Sequence, residues 1–414
     1  MNDLLNNIKH TFRALRHRNY KLYFTGQGIS LTGTWMQQMA ISWLTYRITN
    51  SVFMLGLVGF LGQIPSLFFM PFAGVFADRY SRHRILIITQ ALEMAQAFVL
   101  AALIMSGVVS IWHIITLTVF LGIVIAFDAP ARHAFVVEMV SKKEDLSNAI
   151  ALNSLVFNAA RLIGPSIAGI LVALMGEGMC FLINGVSYIA VIFALLSMSI
   201  TPRMIKEKNK PIIQGLKEGI SYTMNNPTIK AIMLITALIS LVGMSYVVLM
   251  PVFAKDVLGG NSGTLGYLMG ASGLGALLGA LYLASRKSIK GLGRVSFFTA
   301  NIFGIGIIAF SFSRVLWLSM LILVFTGFGM MAQMASNNTV LQTIVHDDKR
   351  GRVMSIFMVA FMGVVPFGSL LAGSLAHAFG APYTLLILGI ACILGSFALV
   401  RRMDIVKEAH NGVV

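Results

Sequence analysis

The sequence predicts an all-α membrane protein of twelve transmembrane helices, arranged as two pseudo-symmetric six-helix bundles. Three observations carry this expectation. First, the 414 residues are 57% hydrophobic and only 11% charged, whereas a soluble domain carries about 25% charged residues. Second, apolar runs recur along the whole chain, each long enough to cross a ~30 Å hydrocarbon core as a helix. Third, the basic residues alternate between successive gaps as they do in polytopic proteins. A membrane β-barrel would instead show weak ten-residue alternation.

The runs place spans at 22–46, 52–77, 85–106, 110–128, 148–173, 178–200, 228–253, 262–285, 295–313, 315–337, 353–377 and 381–400. With the N-terminus in the cytoplasm, 27 of the 31 Lys and Arg fall on the cytoplasmic side. Arg47, Lys255 and Arg314 fall outside, and Arg161 lies within a span. The alternation therefore predicts an even number of spans with both termini cytoplasmic. The net charge of +16 is a topology signal and a match to anionic lipid headgroups; no nucleic-acid partner is expected. Residues 1–21 are polar and basic, without the apolar core of a cleavable leader, so the first span is expected to serve as the targeting signal. Cys180 and Cys392 sit inside apolar runs and read as small core residues, not as a metal or redox pair.

The longest polar break, TPRMIKEKNKPIIQGLKEGISYTMNNP at 201–227, reads as a cytoplasmic linker with a short amphipathic helix near 212–224. It separates an N-terminal bundle, 1–200, from a C-terminal bundle, 228–414. The halves repeat. Gly164, Ala168 and Gly169 match Gly368, Ala372 and Gly373 at an offset of 204, and Gly56 and Gly266 open spans two and eight at an offset of 210. Six spans per half keep the repeats parallel, as in transporters with a midplane cavity between two matched halves.

The stretch GVFADRYSRHR, 74–84, lies in the turn between spans two and three. Asp78 ends a helix whose own dipole disfavours a carboxylate there, so it needs positive partners. Arg79 and Arg82 are nearby sources. The start of span eleven, beside Arg350 and Arg352, is another, and a contact there would act as a conformational latch that forms only when the cytoplasmic side is closed. Gly74 would let the neighbouring helix approach closely. The alternative is that the arginines simply anchor the loop at the headgroups.

In span five, Pro165 removes a backbone hydrogen bond, a defect that membrane neighbours can absorb. Gly164 and Gly169 are expected to pack tightly against the other half, ordinary helix packing being the alternative. Intramembrane charge is costly and is usually paired or functional. Glu93 and Arg161 stand near mid-depth and either pair with each other or serve proton coupling and substrate binding separately. Asp128 and Arg132, four apart at the expected end of span four, suit a helical ion pair, and Asp128 is also a proton or cation candidate. Gln27, Trp35, Gln38, Tyr246, Gln333 and Asn337 are candidate cavity lining. His113 and His377 fall near external span ends. The sequence holds no phosphate-binding glycine loop with lysine, no HExxH and no Cys/His cluster. No enzyme, metal or cofactor is expected.

GVFADRYSRHR resembles the signature of the major facilitator superfamily, with Ser81 in place of the turn glycine and His83 in place of a base. LRHRNYKLYFTGQGISLTGTWMQQMAISWL, FDAPARHAF and LQTIVHDDKRGRVMSI resemble the branch that includes the enterobactin exporter and macrolide efflux proteins. Gly164-Pro165-Ser166-Ile167-Ala168-Gly169 resembles the antiporter motif Gly-Pro-x-x-Gly-Gly, with Ala168 for one glycine. Ala284 and Ser288 stand where a second copy of Gly74 and Asp78 would, so a latch would be one-sided. Thr118 replaces the family arginine of mid span four. The resemblance implies a monomeric exporter of the bacterial inner membrane. It would move amphipathic or bulky organic compounds, siderophore or drug-like, by alternating access in exchange for protons. A lysophospholipid flippase or an uncoupled facilitator is the alternative within transport; a membrane-embedded enzyme or scaffold is the alternative outside it.

Overall fold

The computed structural model describes residues 12–140, 142–199, 212–286, 288 and 290–403. Among these, all regular structure is helical. After a short 3-10 turn the helices are α1 (Arg18–Thr49), α2 (Val52–Arg79), α3 (Arg82–Met105), α4 (Ile111–Met139), α5 (Lys143–Met175), α6 (Glu177–Leu196) and α7 (Ile212–Asn225). They continue as α8 (Pro227–Val252), α9 (Ser262–Ala284), α10 (Leu292–Phe312), α11 (Leu316–Ile344), α12 (Asp347–Met358), α13 (Val365–Phe379) and α14 (Ala381–Met403). Short π-helical segments extend α8 and join α12 to α13.

Eleven helices of the described residues are long and apolar enough to cross a membrane, with α12 and α13 counted as one. α1 is 32 residues long but more polar, because Gln27, Ser30, Gln37 and Thr45 lie along it. All four are buried against protein, so its polarity reflects what it packs on.

The helices overrun several expected span edges. Span four, expected to stop at 128, continues to Met139. Asp128, Pro130 and Arg132 look like a polar break in sequence. In the structure Arg132 pairs with Asp128 along the same helix, and Phe135, Val136 and Met139 beyond them are buried. Asp128 is therefore not at a helix end. It is 1% exposed, well inside the bundle.

The chain divides into two compact units, Met1–Thr49 with Leu61–Lys206, and Asn50–Phe60 with Glu207–Val414. The division differs from the expected 1–200 boundary in the short segment 50–60. Within the second unit, Gly56 and Gly373 approach so closely that a Cβ on Gly56 would lie 2.7 Å from the Gly373 Cα. Two glycines are what allow that backbone contact.

The two units repeat one packing scheme. In the first, α1 packs on α5 and α6, and α3 on α4 and α6; in the second, α8 packs on α13 and α14, and α10 on α11 and α14. Gly122 of α4 lies against the Gly62 carbonyl, and Gly327 of α11, 205 residues later, lies against the Ser272 carbonyl. Trp112 and Trp317, also 205 apart, are each the second residue of their helix and are exposed, where interfacial tryptophans sit. A Cβ on Gly164 would lie 2.6 Å from the Trp35 Cβ and 2.8 Å from the Thr32 carbonyl. Its counterpart Gly368 abuts Leu241. Gly164 thus packs on α1 of its own unit. The expectation that it faces the other half is corrected: small residues here let α5 approach α1.

Candidate functional site

A run of buried polar side chains threads α1, α3, α4 and α6 of the first unit. Its centre is Asp128 on α4. Asp128 Oδ1 accepts hydrogen bonds from Thr89 Oγ1 at 2.8 Å and Gln90 Nε2 at 3.0 Å. Its other oxygen pairs with Arg132, one helical turn away. Arg132 Nη1 also donates to Gln27 Oε1 on α1 at 3.3 Å. Gln90 donates a second time, to Glu93 Oε2 at 3.2 Å. The Tyr188 hydroxyl faces Glu93, and Tyr23 on α1 is buried. Glu93 and Asp128 are 4% and 1% exposed.

The charge balance of this cluster is its main chemical property. Two carboxylates meet one guanidinium. In water-poor surroundings a surplus negative charge is strongly disfavoured unless it is paired or neutralised. Asp128 takes the guanidinium and two further donors, whereas Glu93 has one shared amide and the Tyr188 hydroxyl and no cation. Gln90 Oε1 and Arg132 Nε have no partner among the described residues, so the network is incompletely satisfied there, a condition that buried polar networks tolerate poorly.

A second run continues the first across the bundle. Gln37 Nε2 donates to Gln96 Oε1 at 2.9 Å, and Asn184 Nδ2 donates to Gln37 Oε1 at 2.7 Å. The sequence reading singled out Gln38, which is exposed; the buried amide is its neighbour Gln37.

The second unit carries the neutral counterpart. At the offset of 205, Gln333 stands for Asp128 and Asn337 for Arg132. Asn337 Nδ2 donates to Thr236 Oγ1 at 2.9 Å, and Asn337 Oδ1 accepts from Ser296 Oγ at 2.6 Å. Thr236 is 209 residues after Gln27, so the Gln27–Arg132 contact is repeated as Thr236–Asn337. Gln333 is fully buried, and neither amide atom has a hydrogen-bond partner among the described residues. Tyr246, 209 after Gln37, is fully buried with its hydroxyl 2.7 Å from Ser272 Oγ. Tyr246, Gln333 and Asn337 are therefore interior residues of the second unit. For Tyr246 and Asn337 the expected place on a cavity wall is corrected: their polar groups meet neighbouring helices of the same unit.

Glu93 and Arg161 do not pair. Arg161 lies over the Trp35 ring, 5.7 Å from its centroid, and Trp35 in turn meets Phe157 edge-on at 5.7 Å. Glu93 belongs instead with Asp128 and Arg132, which the sequence presented as a separate local pair. Nothing in a linear spacing of 35 residues signals that contact; it depends on α3 packing on α4.

At the 74–84 turn, Ser81 caps α3, accepting from the Arg84 amide. Arg82 donates to Glu138 Oε1 at 2.9 Å and to the Ala77 carbonyl at 3.2 Å, so it ties the end of α2 to α4 within the first unit. Arg79 is exposed. The side chain of Asp78 lies outside the described residues. No described atom comes within 4 Å of a Cβ placed on Gly74, so the expected close helix approach at that glycine is corrected: Gly74 faces open space. In the second unit Arg352 pairs with Glu218 of α7, and Arg350 Nη2 reaches the Val345 carbonyl at 3.5 Å. Other ion pairs hold the ends of the first unit: Arg47 with Glu177 at 2.6 Å, and Asp145 with Arg13 at 3.1 Å and His17 at 2.9 Å.

Comparison with known proteins fits this arrangement. Residues 9–411 match the family described as transmembrane secretion effector. The chain is 28% identical over 400 residues to the staphyloferrin A transporter of Staphylococcus aureus, covering 95% of this chain and 99% of that protein. It is 23% identical over 406 residues to macrolide efflux protein A of Streptococcus pyogenes, covering 94% and 99%. The fold is similar to that of a bacterial homolog of the human lysosomal transporter Spinster in an inward-facing, occupied conformation, with a TM-score of 0.70 at 16% identity and coverage of 94% and 95%. The chain is a multi-pass membrane transporter, not an enzyme, and belongs to the transmembrane secretion effector family of the major facilitator superfamily.

Proposed function

We propose that this protein is a secondary active exporter of amphipathic or bulky organic compounds, siderophore or drug-like, that alternates access to the two sides of the membrane. It works in the bacterial inner membrane with both termini in the cytoplasm, and an inward proton flow drives export. The observation that carries the reading is the buried cluster of Glu93, Asp128 and Arg132. Asp128 is the fixed partner of Arg132. Glu93, with one shared donor and the Tyr188 hydroxyl, is the group that gains and loses a proton as its surroundings alternate between wet and dry. Intramembrane carboxylates of this kind mark proton relays. The names of the relatives, a siderophore transporter and a macrolide efflux protein, support the compound class. The distribution of Lys and Arg supports the orientation.

The test is purified protein in liposomes with an imposed pH gradient and a panel of siderophores, macrolides and lysolipids. Gradient-driven movement of a siderophore or macrolide is the expected result. Movement of lysolipids alone would favour the flippase reading. Movement that ignores the gradient would remove the coupling.

A further inference from the structure

Arg161 is a positive charge near the middle of α5, with Trp35 as its described contact and no carboxylate beside it among the described residues. It is partly exposed. Ile150, Ser154 and Phe157 precede it at helical spacing, and all three are exposed on the first unit. The four residues therefore form one stripe along α5.

Two placements are open to an unpaired guanidinium at such a position. Facing hydrocarbon is disfavoured by several kcal/mol. Reaching a headgroup is the usual escape, but Arg161 is about 21 Å and about 27 Å along the axis from the two ends of α5, at 1.5 Å per residue, and snorkelling serves residues near helix ends. A placement toward water avoids both costs.

We propose that Arg161 is the docking point for a carboxylate on the exported compound, with Trp35 and Phe157 receiving the apolar body next to it. This rests on the exporter reading and names the substrate class: amphipathic organic anions. A guanidinium binds a carboxylate through two parallel hydrogen bonds, and its single charge is balanced by a carboxylate but not by a phosphate dianion. Trp35 under the guanidinium holds the charge in place by cation–π attraction. Gly164 fixes Trp35 in turn, because α5 and α1 touch through its missing side chain.

The experiment measures binding by calorimetry to the full chain in lipid nanodiscs. The probes are 1-naphthylacetate, its neutral isostere 1-naphthylacetamide, and 1-naphthyl phosphate. The carboxylate should bind on the order of tenfold or more tightly than the amide, as for a hydrogen bond to a charged group. Arg161→Gln should erase that preference, and Arg161→Lys should keep part of it. Equal binding of acetate and amide to the native protein, no binding of either, a preference that survives Arg161→Gln, or tightest binding of the phosphate would each overturn the proposal. If Arg161→Gln fails to fold, the native comparison and Arg161→Lys still decide it. A carboxylate preference without gradient-driven transport would sink the exporter reading alone; gradient-driven export with no such preference would sink this one alone.

Discussion

Glu93 and Asp128 are tied to one donor: Gln90 Nε2 reaches Glu93 Oε2 at 3.2 Å and Asp128 Oδ1 at 3.0 Å. The two carboxylates are not equivalent. Asp128 has Arg132 and Thr89 as well. A change of charge on Glu93 reaches Arg132 through Gln90 and Asp128, and from there Gln27 on α1. The proposed coupling thus runs through contacts among α3, α4 and α1 of one unit.

Asp128→Asn should destabilise the protein by about 1.5–3 kcal/mol, because it removes the charged hydrogen-bond partner of Arg132, whose side chain is 25% exposed. The double change Asp128→Asn with Arg132→Gln should recover most of that loss. Thermal unfolding in detergent checks both. A single variant as stable as the native protein would show that Arg132 is solvated.

Glycine positions should separate by what they touch. Gly122→Val drives a side chain into the Gly62 carbonyl, and backbone cannot yield as a flexible side chain does; a loss of about 1–3 kcal/mol is expected. Gly74→Ala meets open space and should raise helix stability by up to ~1 kcal/mol. Expression and melting temperature are the readouts. A destabilised Gly74→Ala would contradict the open placement.

Asp78→Asn tests the proposed latch. Transport should fall by roughly tenfold, equivalent to about 1.4 kcal/mol, with expression and melting temperature unchanged. Normal transport by this variant removes the latch and leaves Arg79 and Arg82 as a loop anchor and a helix tie.

Much of the fold was legible in the chain. Apolar runs set the spans, and glycine offsets of 204 and 210 announced the repeat. The edges were less legible: Asp128 and Arg132 read as the end of span four because an ion pair along a buried helix has the same spacing as one at a membrane surface. The site was half legible. Glu93, Asp128, Arg132 and Gln27 each stood out as polar residues in apolar runs, yet their union depends on helix packing that no local pattern encodes. The repeat did hold a usable signal. At 205 and 209 residues, Asp128 and Arg132 map on Gln333 and Asn337, and Gln27 on Thr236, which pairs one charged network with one neutral copy. Gln38 and Gln37 are adjacent amides, and only the helix's rotation tells which one is buried.

The most direct test of the central claim compares native protein with Glu93→Gln in liposomes under imposed pH gradients of either sign. The amide keeps the shape and the Gln90 contact but cannot exchange a proton. Native protein should move substrate faster when the gradient drives protons against it, whereas Glu93→Gln should show a rate that no longer responds to the gradient, with unchanged melting temperature. An undiminished gradient response in that variant would contradict the assignment of the proton to Glu93.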